Sequence, residues 1–139
     1  MTFRLSKRSL NRLHGVHPDM VKVVHRAIEI TTVDFGVSQG LRTIEQQREY
    51  VRTGKSTTMN SKHLPQSDGY SHAVDVVAYI GPDVSWELNL YDNIADAFKQ
   101  AAHENNVVIR WGAAWNVPNI VDWGGTMEEA MMHYIDTRR

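Results

Sequence analysis

Residues 73–79 read Ala-Val-Asp-Val-Val-Ala-Tyr, a β-branched, mostly apolar run with a single charge inside it. Its length and composition predict a strand in the middle of a sheet. Asp75 is the anomaly, because a carboxylate in an apolar strand is costly unless a hydrogen bond, a cation or a metal compensates it. Immediately upstream, residues 53–72 are rich in Gly, Ser, Thr, Asn and Pro and read as a long loop. Loops of that length in compact domains are functional or disordered. This one carries two imidazoles, His63 in Ser61-Lys62-His63 and His72 in Ser71-His72. Histidine with carboxylate is a ligand combination that zinc accepts, and an open fourth position makes such a site catalytic. The residues alone also fit a plainer account, a structural acceptor in a strand with two loop imidazoles facing water.

Upstream, Val21, Val24, Ala27 and Ile28 recur at helical spacing from Pro18 to Ile30, with Pro18 suited to a first turn. Val33 to Ser38 reads as a short strand. Thr43 to Val51 reads as a helix in which Thr43 and Gln46 form a capping box. Leu90, Ile94, Ala97, Phe98 and Ala101 mark an amphipathic helix over 90–101. Val107 to Trp111 is expected as a further strand. Residues 126–137 read as a helix with Thr126 and Glu129 as a second capping box, and Met127, Ala130, Met131, Tyr134 and Ile135 as its apolar stripe. Asp92 and Asp96 are expected on a solvated helix face. Helices interspersed with a few strands give an α+β class: a small single domain over 1–139, with a short, mainly antiparallel sheet flanked by helices.

The totals narrow the function. The chain has 139 residues, enough to bury one core, and its net charge of −1 gives no global field for nucleic acid. The basic residues Arg4, Lys7, Arg8 and Arg12 near the start, and Arg138 and Arg139 at the end, read as solvated charge. The absence of cysteine excludes disulfides, thiolate nucleophiles and Cys-type zinc sites. No apolar run reaches the roughly 18 residues of a membrane span, and no signal peptide is evident. Synthesis in the cytoplasm, without membrane insertion, is the expectation.

A second candidate element is Ser38-Gln39-Gly40-Leu41-Arg42-Thr43, a strand–turn–helix junction carrying an arginine. A guanidinium fixed at such a turn can bind a carboxylate or steady an oxyanion, although a surface salt bridge is the commoner use.

Together these motifs resemble the M15 family of zinc peptidases, specifically the phage L-alanyl-D-glutamate endopeptidases. Gly40-Leu41-Arg42-Thr43 followed by Glu45-Gln46-Gln47 resembles the family's arginine turn and the helix after it. Ser61-Lys62-His63 resembles its S-x-H, and Ala73-Val74-Asp75 its A-x-D. Ile109-Arg110-Trp111-Gly112-Ala113-Ala114-Trp115-Asn116 resembles the aromatic-glycine strand that precedes the last ligand. The resemblance implies the M15 / Hedgehog-like peptidase fold, with Zn²⁺ held by His63 and Asp75 and with Arg42 stabilising the oxyanion. It also implies that Ser61 touches substrate or orients the loop. Its implied partner is bacterial peptidoglycan, cut at the L-Ala–D-Glu bond by a monomeric endolysin. Such a protein is made in the host cytoplasm and acts on the wall after release.

This chain departs from the family pattern twice. Leu64 to His72 lengthen the segment between S-x-H and A-x-D, which brings in His72 as a competing ligand ranked below His63. Near the end the family carries an acid and then a histidine, and the nearest match is Glu128-Glu129-Ala130-Met131-Met132-His133. That assigns His133 as third ligand and Glu128 or Glu129 as the proton-transferring acid. On the helical reading of the same stretch, Glu129 is a capping residue and His133 an exposed helix residue. The chain would then lack the family's final ligand-bearing strand. The rival functions are therefore a D-Ala–D-Ala carboxypeptidase or dipeptidase of the same family, and a catalytically incomplete wall-binding module. A nucleic-acid role ranks last.

Overall fold

The computed structural model describes residues 2–137, so Arg138 and Arg139 lie outside the described residues. In chain order the elements are helices α1 (Lys7–Arg12) and α2 (Pro18–Ile30), strand β1 (Phe35–Gln39), helix α3 (Ile44–Arg52), strands β2 (Asp75–Ile80) and β3 (Asp83–Ser85), and helix α4 (Leu88–Asn105). Two 3-10 turns, Gly112–Ala114 and Ile120–Asp122, then lead to helix α5 (Met127–Thr137). The α+β class is as expected. The sheet has three strands in the order β1-β2-β3, and β2 pairs antiparallel with β3, Tyr79 opposite Val84. No helix among the described residues is long and apolar enough to cross a membrane.

The differences from the sequence reading have local causes. Helix α1 is six residues long and rests on a cap, the Ser6 side chain accepting from the Ser9 N–H. It is too short to show a periodicity. Residues 107–111 form no strand. There the Val107 N–H donates to Ala102 O and Ile109 O accepts from Ile120 N–H, so the helix end and the following turn take groups that a ladder would need. Helix α4 runs past its expected end to a left-handed Asn106 at φ 55°, a C-cap that Asn tolerates.

The described chain divides into two compact units, each discontinuous in sequence: residues 2–4, 22–35 and 77–137, and residues 5–21 and 36–76. The first, here the helical unit, is mainly apolar inside, with Thr31 and Asp92 as its buried polar residues. Val23, Val24, Ala27 and Ile28 of α2, Phe35, Ala78, Ile94 and Phe98, and Ile120, Met127 and Ala130 are buried, with the Phe35 and Phe98 rings 5.4 Å apart. Met127 and Met131 fill this core as their spacing predicts, whereas Met132 is exposed. The second, here the loop unit, buries Leu13, Val16 and Val37 but also Ser9, Arg42, Gln47 and Ser71. Its polar groups serve as structure: Ser9 Oγ accepts from the Val37 N–H at 2.9 Å, and Arg12 Nη1 donates to Val37 O at 3.0 Å. Arg12 is thus tied to β1 as well as charged.

Candidate functional site

In the loop unit the arginine turn and the S-x-H segment hold one another. The Arg42 N–H donates to His63 O at 2.9 Å, and the His63 ring places Nδ1 2.8 Å from Gly40 O. A carbonyl oxygen only accepts, so Nδ1 carries the proton and Nε2 is the nitrogen left to face outward. It faces Asp75, with Nε2 to Oδ2 at 3.3 Å. The imidazole is largely buried and the carboxylate about half exposed, at 12% and 55% side-chain exposure.

The exposure of Asp75 differs from its expected burial within a strand. The residue opens β2 instead of lying within it, and its carboxylate reaches water, so burial does not by itself demand a partner. The demand comes from His63. A neutral imidazole with its proton on Nδ1 turns a lone pair toward a carboxylate oxygen, and two acceptors at that separation repel unless a proton or a metal cation lies between them. Zinc bonds to nitrogen and oxygen of about 2.1 Å put two tetrahedral ligands about 3.4 Å apart, which matches this pair. The hydrogen bond from Nδ1–H to Gly40 O is the outer-shell contact that metal-binding histidines use to fix their tautomer. The donor chemistry and spacing fit a divalent metal.

Arg42 is buried beside this pair. Its Nη1 donates to Gln47 Oε1 at 2.7 Å and Ser61 Oγ at 3.4 Å, Nη2 donates to Gln39 Oε1, and its guanidinium lies 4.6 Å from the Tyr50 ring centroid. These acceptors are neutral oxygens, and Nε has no partner. A buried guanidinium held by neutral groups keeps its charge available for an anion. Gln47, fully buried, extends the support by donating from Nε2 to Ser56 Oγ and Thr58 O. The capping box predicted for α3 is present, Thr43 and Gln46 bonding each other's backbone N–H, and it fixes the helix that carries Gln47.

Ser61 lies between the two halves: its Oγ accepts from the His63 N–H at 3.2 Å and from Arg42 Nη1. His72 has other partners, with Nε2 2.8 Å from Asp68 Oδ2 and its backbone N–H on Lys62 O. Among the described residues, one trio of ligand-type side chains has its donor atoms within 4.8 Å of each other, and it is His17, Asp68 and His72.

The candidates near the chain end lie in the helical unit, and residues 127–137 are helical, with Thr126 in the capping box just ahead of them, as their pattern predicts. Glu129 Oε1 accepts from both the N–H and the hydroxyl of Thr126, at 3.0 Å each, and these bonds hold its carboxyl below the usual range. His133 is exposed on α5, with Nδ1 3.2 Å from Asn116 Nδ2 and its ring 5.4 Å from that of Trp123. Glu128 repels the buried Asp92 carboxylate across the same unit. Glu129 and His133 thus each have a local structural partner. Asp92 and Asp96 are not on a solvated face: Asp92 is 5% exposed, and Asp96 Oδ1 accepts the Met127 N–H at the start of α5. The stretch 109–116, expected as a strand, is a coil and a 3-10 turn in which the Arg110 guanidinium stacks 3.9 Å over the Trp115 ring centroid.

Sequence reasoning did not single out Gly40, Gln39 or Tyr50 as supports, nor His17 and Asp68 as partners of His72. Their roles depend on contacts across 3 to 55 positions of chain, for which one sequence carries no signal.

Comparison with known proteins follows the same line. A family model described as phage L-alanyl-D-glutamate peptidase matches residues 1–132. The L-alanyl-D-glutamate peptidase of Escherichia phage T5 is 33% identical over 120 residues, 84% of each chain. The crystal structure of the Serratia marcescens L-Ala D-Glu endopeptidase ChiX superposes with a TM-score of 0.72 at 42% identity, also covering 84% of both chains.

Proposed function

From the premise that the chain belongs to the phage L-alanyl-D-glutamate peptidase family, we propose that it hydrolyses the L-Ala–D-Glu bond in the stem peptide of bacterial peptidoglycan, as an endolysin that opens the host wall. In this reading His63 and Asp75 hold a zinc ion. The observation that carries it is the 3.3 Å approach of His63 Nε2 to Asp75 Oδ2, with Nδ1 fixed on Gly40 O. When bound, zinc supplies a Lewis acid and a nucleophilic water at neutral pH.

The chain's own groups supply the positioning and the charge stabilisation. Arg42, with neutral acceptors around it and Nε unpartnered, offers fixed donors to the oxygen that gains negative charge as the amide carbonyl is attacked. Because Gln47, Gln39 and Tyr50 hold the guanidinium beforehand, little reorganisation accompanies that step. Ser61 keeps the His63 backbone and the Arg42 side chain in register, and it is the group of this set assigned to substrate contact. Glu129 and His133 are left out of the proposal because they have local contacts of their own, Glu129 with Thr126 and His133 with Asn116 and Trp123.

The test is lysis of purified sacculi by the full chain. Lysis should be lost on chelation and restored by Zn²⁺. It should fall at least about 100-fold in His63→Ala and in Asp75→Ala with the fold intact, more than outer-shell changes cost. Unchanged lysis in both variants would sink the assignment. Mass spectrometry of released muropeptides distinguishes L-Ala–D-Glu cleavage from D-Ala–D-Ala cleavage by the fragment that appears. Binding to sacculi with no fragment released would favour the non-enzymatic wall module.

A further inference from the structure

The loop unit contains a second imidazole–carboxylate assembly that the proposed reaction does not use. We infer that His17, Asp68 and His72 form a separate divalent-metal site of the zinc class, which staples the long loop to the start of α2.

The backbone that carries the three side chains is tied together without an ion. His17 lies just ahead of α2, and the main chain around it is laced to the loop: Val16 and Ser71 form a parallel bridge, the His17 N–H donates to Ser71 O at 2.9 Å, and the Ser71 N–H donates to Gly15 O at 2.8 Å. Within the loop, the Tyr70 N–H donates to Asp68 Oδ1 at 3.0 Å, which leaves Oδ2 facing the two rings. The His72 N–H is anchored on Lys62 O. Asp68 Oδ2 is 2.8 Å from His72 Nε2 and 3.8 Å from His17 Nε2, and the two rings meet edge to face at 5.2 Å. These separations bracket the tetrahedral spacing of about 3.4 Å, and two half-exposed imidazoles can close the difference by side-chain rotation. Two nitrogens and one oxygen leave a fourth position for water, a donor set suited to zinc and its first-row neighbours and poorly suited to calcium or magnesium.

His17 shows what binding requires. Its Nδ1 accepts the Asp19 N–H at 3.0 Å, so the neutral ring carries its proton on Nε2, toward Asp68. A metal on Nε2 needs the other tautomer. The Asp19 carboxylate is already 3.9 Å from Nδ1 and can accept the relocated proton, while the Asp19 N–H, in the first turn of a helix, turns to water. That is the carboxylate–histidine–metal arrangement of an outer shell. The staple would fix Asp68 and His72 between His63 and Asp75, and so limit the motion of the segment that carries both.

The experiment uses the untagged full chain, stripped of metal and titrated with Zn²⁺ alone. His63→Ala/Asp75→Asn removes the first pair, so a metal bound there is scored independently of hydrolysis. This chain should still bind one equivalent of Zn²⁺ and rise in Tm. Adding His72→Ala, or His17→Gln where the first variant folds poorly, should remove both effects. Asp19→Ala keeps the backbone N–H and should weaken binding 10- to 100-fold. On Zn²⁺ addition, ¹⁵N spectra should show His17 changing from the Nε2–H to the Nδ1–H tautomer. No Zn²⁺ bound to the His63→Ala/Asp75→Asn chain, or a His17 tautomer that stays put at saturation, overturns the inference.

Discussion

The two units bury different kinds of residue, and the difference separates positioning from packing. The helical unit closes over Phe35, Ile94, Ile120 and Met127, and its polar candidates serve helix ends: Asp96 takes the first N–H of α5, and Glu129 takes that of Thr126. The loop unit instead encloses Ser9, Arg42, Gln47 and Ser71, each hydrogen-bonded to another polar group, with Arg42 Nε alone among these left unpartnered. A polar interior is costly unless nearly every donor finds an acceptor, and one that is satisfied holds its members in a single geometry. Here that geometry includes a guanidinium with no anion and an imidazole whose outward nitrogen faces a carboxylate. Chemistry is therefore expected where burial is polar, and stability where it is apolar.

The sharpest way to break this contrast is Gly40→Ala. A Cβ at position 40 would lie 2.2 Å from Arg12 O and 2.7 Å from Val16 Cγ2, both fixed by the packing of α1 and the segment after it. The backbone must move, at a cost of about 3 kcal/mol, the upper range for overpacking. The carbonyl of the same residue holds His63 Nδ1, so lysis should fall further than the fraction of unfolded protein explains. Denaturant unfolding and sacculus lysis on one preparation decide it. Normal lysis with unchanged stability would mean that the turn does not hold the ring.

A smaller effect, of opposite sign, is expected in the helical unit. Asp92 is nearly inaccessible and its Oδ1 has no hydrogen-bond partner. Burial, and then the charges of Glu128 and Asp96, push its carboxyl above the usual range. The native state therefore holds this proton more tightly than the unfolded chain does, and its contribution to stability is lost as pH rises through the raised value. Asp92→Asn removes the ionisation and should raise Tm at neutral pH, by about 1 kcal/mol of stability if it behaves as a typical unsatisfied buried group. The gain should shrink on acidification and vanish below about pH 4, where an ordinary aspartate is itself protonated. A variant less stable than the parent at pH 7 would show that the carboxylate has a partner there.

Much of the fold was legible because its long elements obey a period. Helices α2, α3, α4 and α5 and strands β1 and β2 follow from apolar spacing, and both capping boxes from side-chain chemistry at fixed offsets. What failed was short or tertiary. Val107–Trp111 has strand composition, but α4 and the turn at 120 claim backbone groups it needs, and Asp92 has helix-surface chemistry but a buried position. At the site, His63, Asp75, Arg42 and Ser61 could be nominated from motif order, and His63 pairs with Asp75 while Ser61 joins Arg42. The reason for the pairing could not be read in advance, because it depends on Gly40 O, a backbone atom 23 positions away. His17 and Asp68 each resemble ordinary surface residues until the bridge between Val16 and Ser71 brings them to His72.

The mildest prediction bears most directly on which unit does the chemistry. Glu129→Ala deletes the carboxylate that accepts from the Thr126 N–H and hydroxyl, while Thr126 Oγ1 still accepts the residue-129 N–H at the start of α5. Half a capping box survives, so Tm should drop only slightly. The drop should be full at neutral pH and fade on acidification, because a carboxyl whose pKa is lowered by these bonds stabilises the fold only while ionised. Lysis should be unaffected in this variant and in His133→Ala, whose ring contacts are with Asn116 and Trp123. If either variant keeps its Tm near the parent's yet stops releasing fragments, the proton-transferring acid or a ligand resides on α5. Polar burial in the loop unit would then mark only part of the catalytic apparatus.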